Sequence, residues 1–229
     1  MTRMRWLSAK WPLTIRKIAA KMKVVQFTQD GLDGFVVERV RESSIEGQYF
    51  EKVNYEQTII DPFGGEDIVS RIEYKRTRFR LLATFPQIEV WDAPRSIQAF
   101  ATRLAELNDF SVAIAPIDVD VGKWIEAFRR QCSHDITLQA IQAGQVLFEG
   151  GVTGTLLLKG DDAIHETLQR VVGKRSHRIE RAFVRLEQEN GHVSIQFSRD
   201  GSVRLSGKRV EEFFEVLRTT LIETSSKSP

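Results

Sequence analysis

Cysteine is almost missing from this sequence, and long apolar runs are missing altogether. The 229 residues contain one cysteine, Cys132, which excludes an intrachain disulfide and a multi-cysteine zinc site. No apolar run approaches the roughly 18 residues that a membrane-spanning helix requires. The basic N-terminus also lacks the apolar block of a secretory signal. These absences predict a cytoplasmic protein without a transmembrane segment.

The sequence also lacks the short motifs that mark common enzyme classes. It contains neither a Gly-x-Ser-x-Gly motif nor a dinucleotide-binding fingerprint. The stretch from Gly201 to Lys208 differs from a phosphate-binding loop, because five residues separate Gly201 from Gly207 and Arg209 replaces the Ser or Thr that would hold Mg²⁺. The four histidines show no paired metal-ligand spacing. We therefore predict no cofactor and no metal, and we favour a protein without catalytic activity.

Cys132 and His134 are the remaining pair that could suggest nucleophilic chemistry. A thiol and an imidazole this close on one chain rarely reach the geometry of a catalytic pair, which is usually assembled from distant segments. A structural or exposed role is therefore favoured for both residues.

The composition is that of an ordinary globular protein, but its charge is unevenly distributed. Hydrophobic residues make up 41% and charged residues 28%, which is sufficient for a sizeable core. Seven positive charges precede the first acid, Asp30, so the net charge of +2 leaves −5 for residues 24–229. The basic character belongs to the N-terminal segment, which weakens the case for a nucleic-acid binder that uses its whole surface.

Residues 1–22 form a basic segment with an amphipathic pattern. Ile15, Ile18, Ala19 and Met22 fall on one face of a predicted helix. Four interpretations remain open: a helix docked on the body, a nucleic-acid-binding arm, a membrane-surface or transit-type helix, and an extension upstream of a true start at Met22. Docking and extension are favoured.

The clearest structural signal lies between residues 178 and 221. Alternating apolar residues predict three strands, and Asn190-Gly191 and Asp200-Gly201 predict the tight turns between them. A helix follows, because its apolar residues recur at spacings of three and four. Its predicted face comprises Val210, Phe213, Phe214, Leu217 and Leu221.

A similar strand–strand–helix pattern occurs between residues 79 and 104. Sliding one pattern on the other aligns Ile97 with Val210 and Leu104 with Leu217. Either an internal duplication or the shared demands of packing a helix on a sheet explains the similarity.

The segment from residue 136 to 172 predicts a meander followed by a helix. We expect a turn at Ala143-Gly144 to separate a strand at 136–141 from a strand at 146–148. The helix after it is expected to be capped by Asp161. Its predicted apolar face comprises Ile164, Leu168, Val171 and Val172.

Hairpins rather than single strands alternate with the helices, which favours an α+β fold over a doubly wound one. The predicted fold consists of antiparallel hairpins and meanders backed by amphipathic helices, with two related β-β-α-containing halves as an option. The predicted organisation is a basic N-terminal arm at 1–22, an N-terminal α+β half at 23–108, a C-terminal α+β half at 109–223 and a disordered tail at 224–229.

Glu73-Tyr74-Lys75, preceded by Asp61 and Asp67, resembles the site of metal-dependent nucleases of the restriction-endonuclease class. Those enzymes carry an acid on one strand and an acid-x-Lys on the next. Their carboxylates hold Mg²⁺, which polarises phosphate and activates water, and the lysine supports the attacking hydroxide. The resemblance implies a Mg²⁺-dependent nuclease as an alternative function, with Asp61, Asp67, Glu73 and Lys75 as its catalytic residues.

The densest charge cluster of the body lies between residues 170 and 185, where Glu180 is the only acid. Arginine suits phosphate and carboxylate through its bidentate fork. A solvated face and a helix C-terminus that favours cations are the competing explanations. The predicted anion-binding residues are Arg170, Lys174, Arg175, Arg178, Arg181 and Arg185, with Arg16, Lys17 and Lys21 of the N-terminal segment.

Together these features predict a non-catalytic binding or assembly subunit of an intracellular complex. The expected partner is another protein subunit, with nucleic-acid phosphate contacted through the N-terminal segment and the 170–185 cluster. A pure protein–protein interaction subunit without nucleic-acid contact is an alternative, as is the nuclease. The sequence leaves the oligomeric state open.

Overall fold

The computed structural model describes residues 1–60, 62–160, 163–189 and 191–225. Within these residues the chain forms five α-helices and eleven strands with antiparallel pairing, so the α+β class is confirmed. The chain divides into two compact units: the N-proximal unit, Ser8–Ile114, and the C-terminal unit, Met1–Leu7 with the chain from Ala115 onward. Among the described residues, no helix has the length and apolarity needed to cross a membrane.

The first strand, β1 (Thr2–Lys10), contributes residues to both units, and the short β6 (Ala113–Pro116) pairs with it. The basic N-terminal segment therefore begins as a strand. Met4 and Trp6 of this strand are buried. The helical part starts only at Ile15.

In its described residues, the N-proximal unit contains strands β2 to β5, which pair antiparallel, and two helices. Its elements are α1 (Ile15–Val24), β2 (Asp33–Val40), β3 (Ser44–Ile60), β4 (Glu66–Leu82), β5 (Ile88–Trp91) and α2 (Gln98–Leu107). The strand order is β2-β3-β4-β5. The helical spacing of Ile15, Ile18, Ala19 and Met22 predicted one apolar face for α1, and all four residues are buried. The helix is therefore docked through this face.

Aromatic side chains form the centre of the N-proximal core. The Phe35 ring lies 5.3 Å from that of Tyr49, 5.9 Å from that of Phe79 and 6.4 Å from that of Phe100, between ring centroids. These four rings bring β2, β3, β4 and α2 together. Such aromatic groups supply much of the burial in a core of this size.

Tyr49 adds a pH-dependent contribution to this core. Its Oη donates a hydrogen bond to Asp33 Oδ2 at 2.9 Å. Burial first, and then the Asp33 carboxylate, raise the pKa of Tyr49 well above its ordinary value of 10.0. Because the folded pKa is raised, the contribution is complete below pH 10.0 and is lost as the pH rises above it.

We therefore expect the free energy of unfolding to fall above pH 10.0 by up to about 1.4 kcal/mol per pH unit on account of Tyr49. The Tyr49→Phe variant removes the titrating hydroxyl and should show a shallower alkaline limb. Urea unfolding measured between about pH 8 and 11 on both proteins tests this. Parallel profiles would contradict the assigned role of Tyr49.

In its described residues, the C-terminal unit contains six strands and three α-helices. Its remaining elements are α3 (Val121–Gln131), β7 (Ile136–Leu147), β8 (Thr153–Lys159), α4 (Ile164–Val172), β9 (Arg178–Gln188), β10 (Gly191–Ser198), β11 (Ser202–Ser206) and α5 (Phe214–Thr224). The strand order is β1-β11-β10-β9-β7-β8. The three strands predicted between residues 178 and 206 are present as β9, β10 and β11. Asn190 of the first predicted turn lies outside the described residues.

Two local predictions for the C-terminal unit are wrong. Ala143-Gly144 is not a turn, because β7 continues through it and takes up the one extra residue as a bulge between Ala143 and Val146. Val171 is 47% exposed, since α4 buries residues at a spacing of four instead. Phe214 is half-buried, and the predicted helix begins as the 3-10 turn Val210–Phe213. The predicted Asp161 cap lies outside the described residues.

Candidate functional site

The hairpin of β3 and β4 extends well beyond its neighbouring strands. Pairing of β2 with β3 ends at Glu51, and pairing of β5 with β4 involves only Arg78–Leu81. Residues 53–60 and 66–73, here called the distal ribbon, pair with each other from Val53 opposite Glu73 to Ile60 opposite Glu66. Among the described strands, none other pairs with the ribbon. Its outer edges therefore carry unpaired backbone groups.

The distal ribbon and its connecting loop expose large apolar side chains. Phe63 of the loop is 96% exposed, Ile68 is 71% exposed and Ile60 is 67% exposed. An isolated two-stranded ribbon is marginally stable in water, and contiguous exposed apolar groups mark interaction sites. The full exposed apolar set is Tyr55, Ile59, Ile60, Phe63, Ile68, Val69 and Ile72.

Both faces of the ribbon carry these groups. The register places Thr58 opposite Ile68 and Asn54 opposite Ile72, so these isoleucines share one face with Ile60. Tyr55, Ile59 and Val69 occupy the other face by alternation. In a sheet that has one face in water, apolar and polar residues normally alternate along each strand. A ribbon with apolar groups on both faces is therefore suited to insertion between surfaces of a partner.

The ribbon is acidic as well as apolar. Residues 53–73 contain five acids and one base, Arg71, which gives a net charge of −4. A segment of this charge repels phosphate polymers and anionic lipid surfaces.

The residues of the predicted nuclease site lie on and beside this ribbon. Asp67 and Glu73 are six residues apart on β4, which corresponds to about 20 Å along a strand. Carboxylates that share a Mg²⁺ must each approach it to about 2 Å, so these two cannot share one ion in this geometry. Lys75 Nζ lies 5.9 Å from the centroid of the Tyr55 ring, and its interaction with Tyr55 raises the pKa of Lys75. Asp61 lies outside the described residues.

Among the described residues, no three His, Cys, Asp or Glu side chains are grouped so that they could hold one metal ion. The nuclease therefore remains a prediction from sequence. The structure brings Glu73 and Lys75 onto one strand, where Glu73 also lies 3.6 Å from Arg71.

The cations of the 170–185 cluster have different surroundings. Arg175 donates hydrogen bonds to the carbonyl oxygens of Val171 and Val172, both at 3.3 Å, and thereby caps α4. Arg185 forms an ion pair with Glu187 at 2.7 Å. Arg170 and Lys174 are exposed around the C-terminal end of α4, where cations are favoured.

The two remaining arginines of the cluster lie at different points of β9. Arg178 is at the start of the strand, beside a cleft of about 460 Å³. Arg181 lies in the sheet itself, opposite Gln142 of β7 and Ser198 of β10. The predicted cluster is thus divided between a helix end, a strand end and the sheet. Arg16, Lys17 and Lys21 belong to the N-proximal unit, where Lys21 pairs with Asp109 at 2.7 Å.

The cleft beside Arg178 is built around a structural ion pair. Arg199 contacts both carboxylate oxygens of Asp118, at 2.7 and 2.9 Å, and lies 3.7 Å from Glu180. The hydrogen bonds from Arg199 hold the pKa of Asp118 below its ordinary value. Asp120 accepts the backbone N–H of Lys123 and so caps α3. These acids are engaged in holding the loop before α3, which explains them without a ligand.

Cys132 Sγ and His134 Nδ1 lie 3.7 Å apart. Burial raises the pKa of the Cys132 thiol, which keeps it protonated and a poor nucleophile. The His134 ring packs 5.5 Å from that of Phe213. These contacts are consistent with a packing role for both side chains.

The exposed ribbon residues were missed as a site by sequence reasoning. The signal was present in residues 53–60 and 66–73, because apolar residues occur at both odd and even positions of two strands otherwise rich in polar residues. Neither a protein-family model nor a curated protein sequence matches the chain. Function is therefore inferred from the chain's own contacts, exposure and charge.

Proposed function

We propose that this protein is a non-catalytic binding and assembly subunit that engages another protein subunit through its distal ribbon. The observation that carries the proposal is the exposure of Ile60 and Ile68 on the distal ribbon and of Phe63 in its connecting loop, since the two ribbon segments pair only with each other among the described strands.

Burial of such side chains supplies the driving force for association. Fully burying one Ile or Phe side chain contributes about 1.5–3 kcal/mol, so a few of them would outweigh the cost of ordering the contact residues. The unpaired strand edges add a second mode of contact, because a partner strand can extend the ribbon through backbone hydrogen bonds.

The charge of the ribbon selects a protein over other partners. With a net charge of −4 over residues 53–73, contact with phosphate or anionic lipid is unfavourable. A protein groove that is apolar at its centre and basic at its rim complements both properties of the ribbon.

Site-specific cross-linking in the protein's own cells tests the proposal. A photo-reactive residue is introduced at position 63, in the loop that connects the two segments of the ribbon, and in a control at position 110, where Phe110 is also strongly exposed. We expect the probe at position 63, and not the control, to cross-link to one discrete protein of different sequence. Cross-links only to further copies of this chain, or equal yields at both positions, would overturn the proposal.

A reconstitution with the cross-linked protein gives the quantitative form of the same prediction. The double variant Ile60→Asn with Ile68→Asn should weaken the complex by at least about tenfold, because two apolar anchors are lost. The matched control is Val152→Asn with Val171→Asn, which changes two exposed apolar residues of the C-terminal unit. Calorimetric titration measures both. Equal affinities would exclude the ribbon as the interface.

A further inference from the structure

The sheet of the C-terminal unit has one face packed on helices and one open face. On the packed face, the Phe197 ring lies 5.0 Å from that of Trp124 and 5.5 Å from that of Phe128, both on α3. Side chains alternate along strands, so the residues between the buried ones face the other way. The main residues of this open face are Arg3, Arg181, Phe183, Arg185, Gln196 and Arg204.

The register aligns these side chains across neighbouring strands. Arg3 of β1 lies opposite Arg204 of β11, Arg204 opposite Gln196 of β10, and Gln196 opposite Phe183 of β9. Each of these four residues is partly exposed. Across the sheet from β1 to β9, the row thus presents two guanidinium groups, an amide group and an aromatic ring, one on each strand.

A shallow depression marks the centre of the open face. It has a volume of about 370 Å³ and is lined among others by Phe183, Arg185, Gln196 and Arg204. Its lining combines one aromatic surface with hydrogen-bonding groups and positive charge. This is the combination that accommodates a base next to its phosphate.

Charge on the open face is strongly of one sign. Arg3 of β1 and Arg204 of β11 lie directly opposite each other, so two cationic side chains are neighbours on this face. Arg181 adds a further exposed cation on the adjoining row. The acids nearby, Glu187 and Asp200, are paired with Arg185 and Arg5.

We infer that the open face binds single-stranded nucleic acid. Arg181 and Arg204 contact backbone phosphates, a base stacks on Phe183, and Gln196 offers its amide to a base edge. Single strands fit better than duplexes because their bases expose the flat faces that an aromatic ring stacks on. This binding goes beyond the proposed function, since it uses a basic sheet face and not the acidic ribbon.

Fluorescence anisotropy with the full chain tests the inference. The probes are a labelled 20-nucleotide thymidine DNA, a uridine RNA of the same length, and a 20-base-pair duplex. We expect both single-stranded probes to bind more tightly than the duplex. Comparing the Kd of the RNA probe with that of the single-stranded DNA probe then shows which of the two nucleic acids the face prefers. Tighter binding of the duplex would overturn the inference.

Two variants separate phosphate contact from stacking. Arg181→Gln with Arg204→Gln should raise the Kd roughly tenfold and reduce the slope of log K against log salt by about 1.4, because each single-strand phosphate contact accounts for about 0.7. Phe183→Leu should raise the Kd roughly fivefold or more with the salt slope unchanged, since leucine keeps the apolar bulk but not the stacking surface.

The matched control is Lys123→Gln with Arg130→Gln, which removes two exposed cations from α3. It should bind as the unaltered protein does, and far-ultraviolet circular dichroism checks that every variant is folded. Equal losses in the control and in the Arg181 and Arg204 variant would overturn the inference. So would tighter binding of polyglutamate or of phosphatidylserine vesicles than of the oligonucleotides. Variants of the distal ribbon serve as a further control, because they should leave oligonucleotide binding unchanged. This expectation does not depend on whether the ribbon binds a protein partner.

Discussion

Replacing Trp124 with alanine is expected to lower the free energy of unfolding of the C-terminal unit by about 3–5 kcal/mol, the range for a fully buried large aromatic side chain. Trp124 is fully buried on α3, and its ring contacts those of Trp6 and Phe197 at 6.0 and 5.0 Å. Removing the indole opens a cavity where β1, β10 and α3 meet. Because whole domains are marginally stable, a loss of this size removes a large share of their stability.

The hydrogen bonds of the Trp124 indole allow its two contributions to be separated. Nε1 donates to Leu217 O at 3.3 Å and to Thr220 Oγ1 at 3.2 Å, which links α3 to α5. Trp124→Phe keeps most of the ring but removes these bonds, so it should cost about 1–2 kcal/mol. Urea unfolding followed by circular dichroism measures both variants. A loss below about 1 kcal/mol in the alanine variant would show that the indole does not organise this core.

Replacing Phe35 with alanine is expected to cost a similar amount, about 3–5 kcal/mol, in the N-proximal unit. Phe35 is fully buried and lies within 6.4 Å of the rings of Tyr49, Phe79 and Phe100. Its removal deprives three other rings of their contact and leaves a cavity between β2 and α2. Weaker burial of Tyr49 in this variant should raise its pKa less, and so reduce the share of the alkaline loss of stability that is due to Tyr49.

The matched control for Phe35 is Phe63→Ala, which makes the same chemical change at a side chain that is 96% exposed. This control should alter the free energy of unfolding by less than about 0.5 kcal/mol. The same control should impair partner binding, because Phe63 belongs to the proposed interface. Equal destabilisation by the two alanine substitutions would contradict the burial that the structure assigns to Phe35.

The two proposed surfaces differ in charge and in kind. The distal ribbon is acidic, apolar and exposed on both faces, whereas the open face is basic, polar and centred on Phe183. A subunit with both surfaces would bind a protein through the distal ribbon and a nucleic-acid strand through the open face. Salt provides a distinction, because strand binding should weaken steeply with ionic strength, whereas partner binding through apolar ribbon side chains should weaken much less.

Local periodicity predicted much of the secondary structure. The alternation of Val193, Ile195 and Phe197 predicted a strand with one buried face, and all three residues are buried. The spacing of Ile15 and Ile18 likewise predicted the buried face of α1. These predictions succeed because the repeat of side-chain direction is fixed by the backbone alone.

Other features could not be read from local patterns. Gly144 lies opposite Arg178 inside a strand, although glycine next to alanine resembles a turn. The basic residues of the N-terminal segment predict an arm, whereas Thr2–Lys10 forms a strand in which Met4 and Trp6 are buried. In both cases the outcome depends on a partner strand that is distant in sequence.

By itself, the sequence determined the α+β class, the faces of its clearest helices and strands, and the absence of a disulfide, because each depends on composition or on contacts close along the chain. Only the tertiary structure decided which faces remain open. Pairing of Thr2 with Leu205 brought Arg3 opposite Arg204, and the end of β2 pairing at Glu51 left the distal ribbon uncovered. Periodicity states which side chains share a face, whereas exposure depends on whether an element from elsewhere in the chain covers that face.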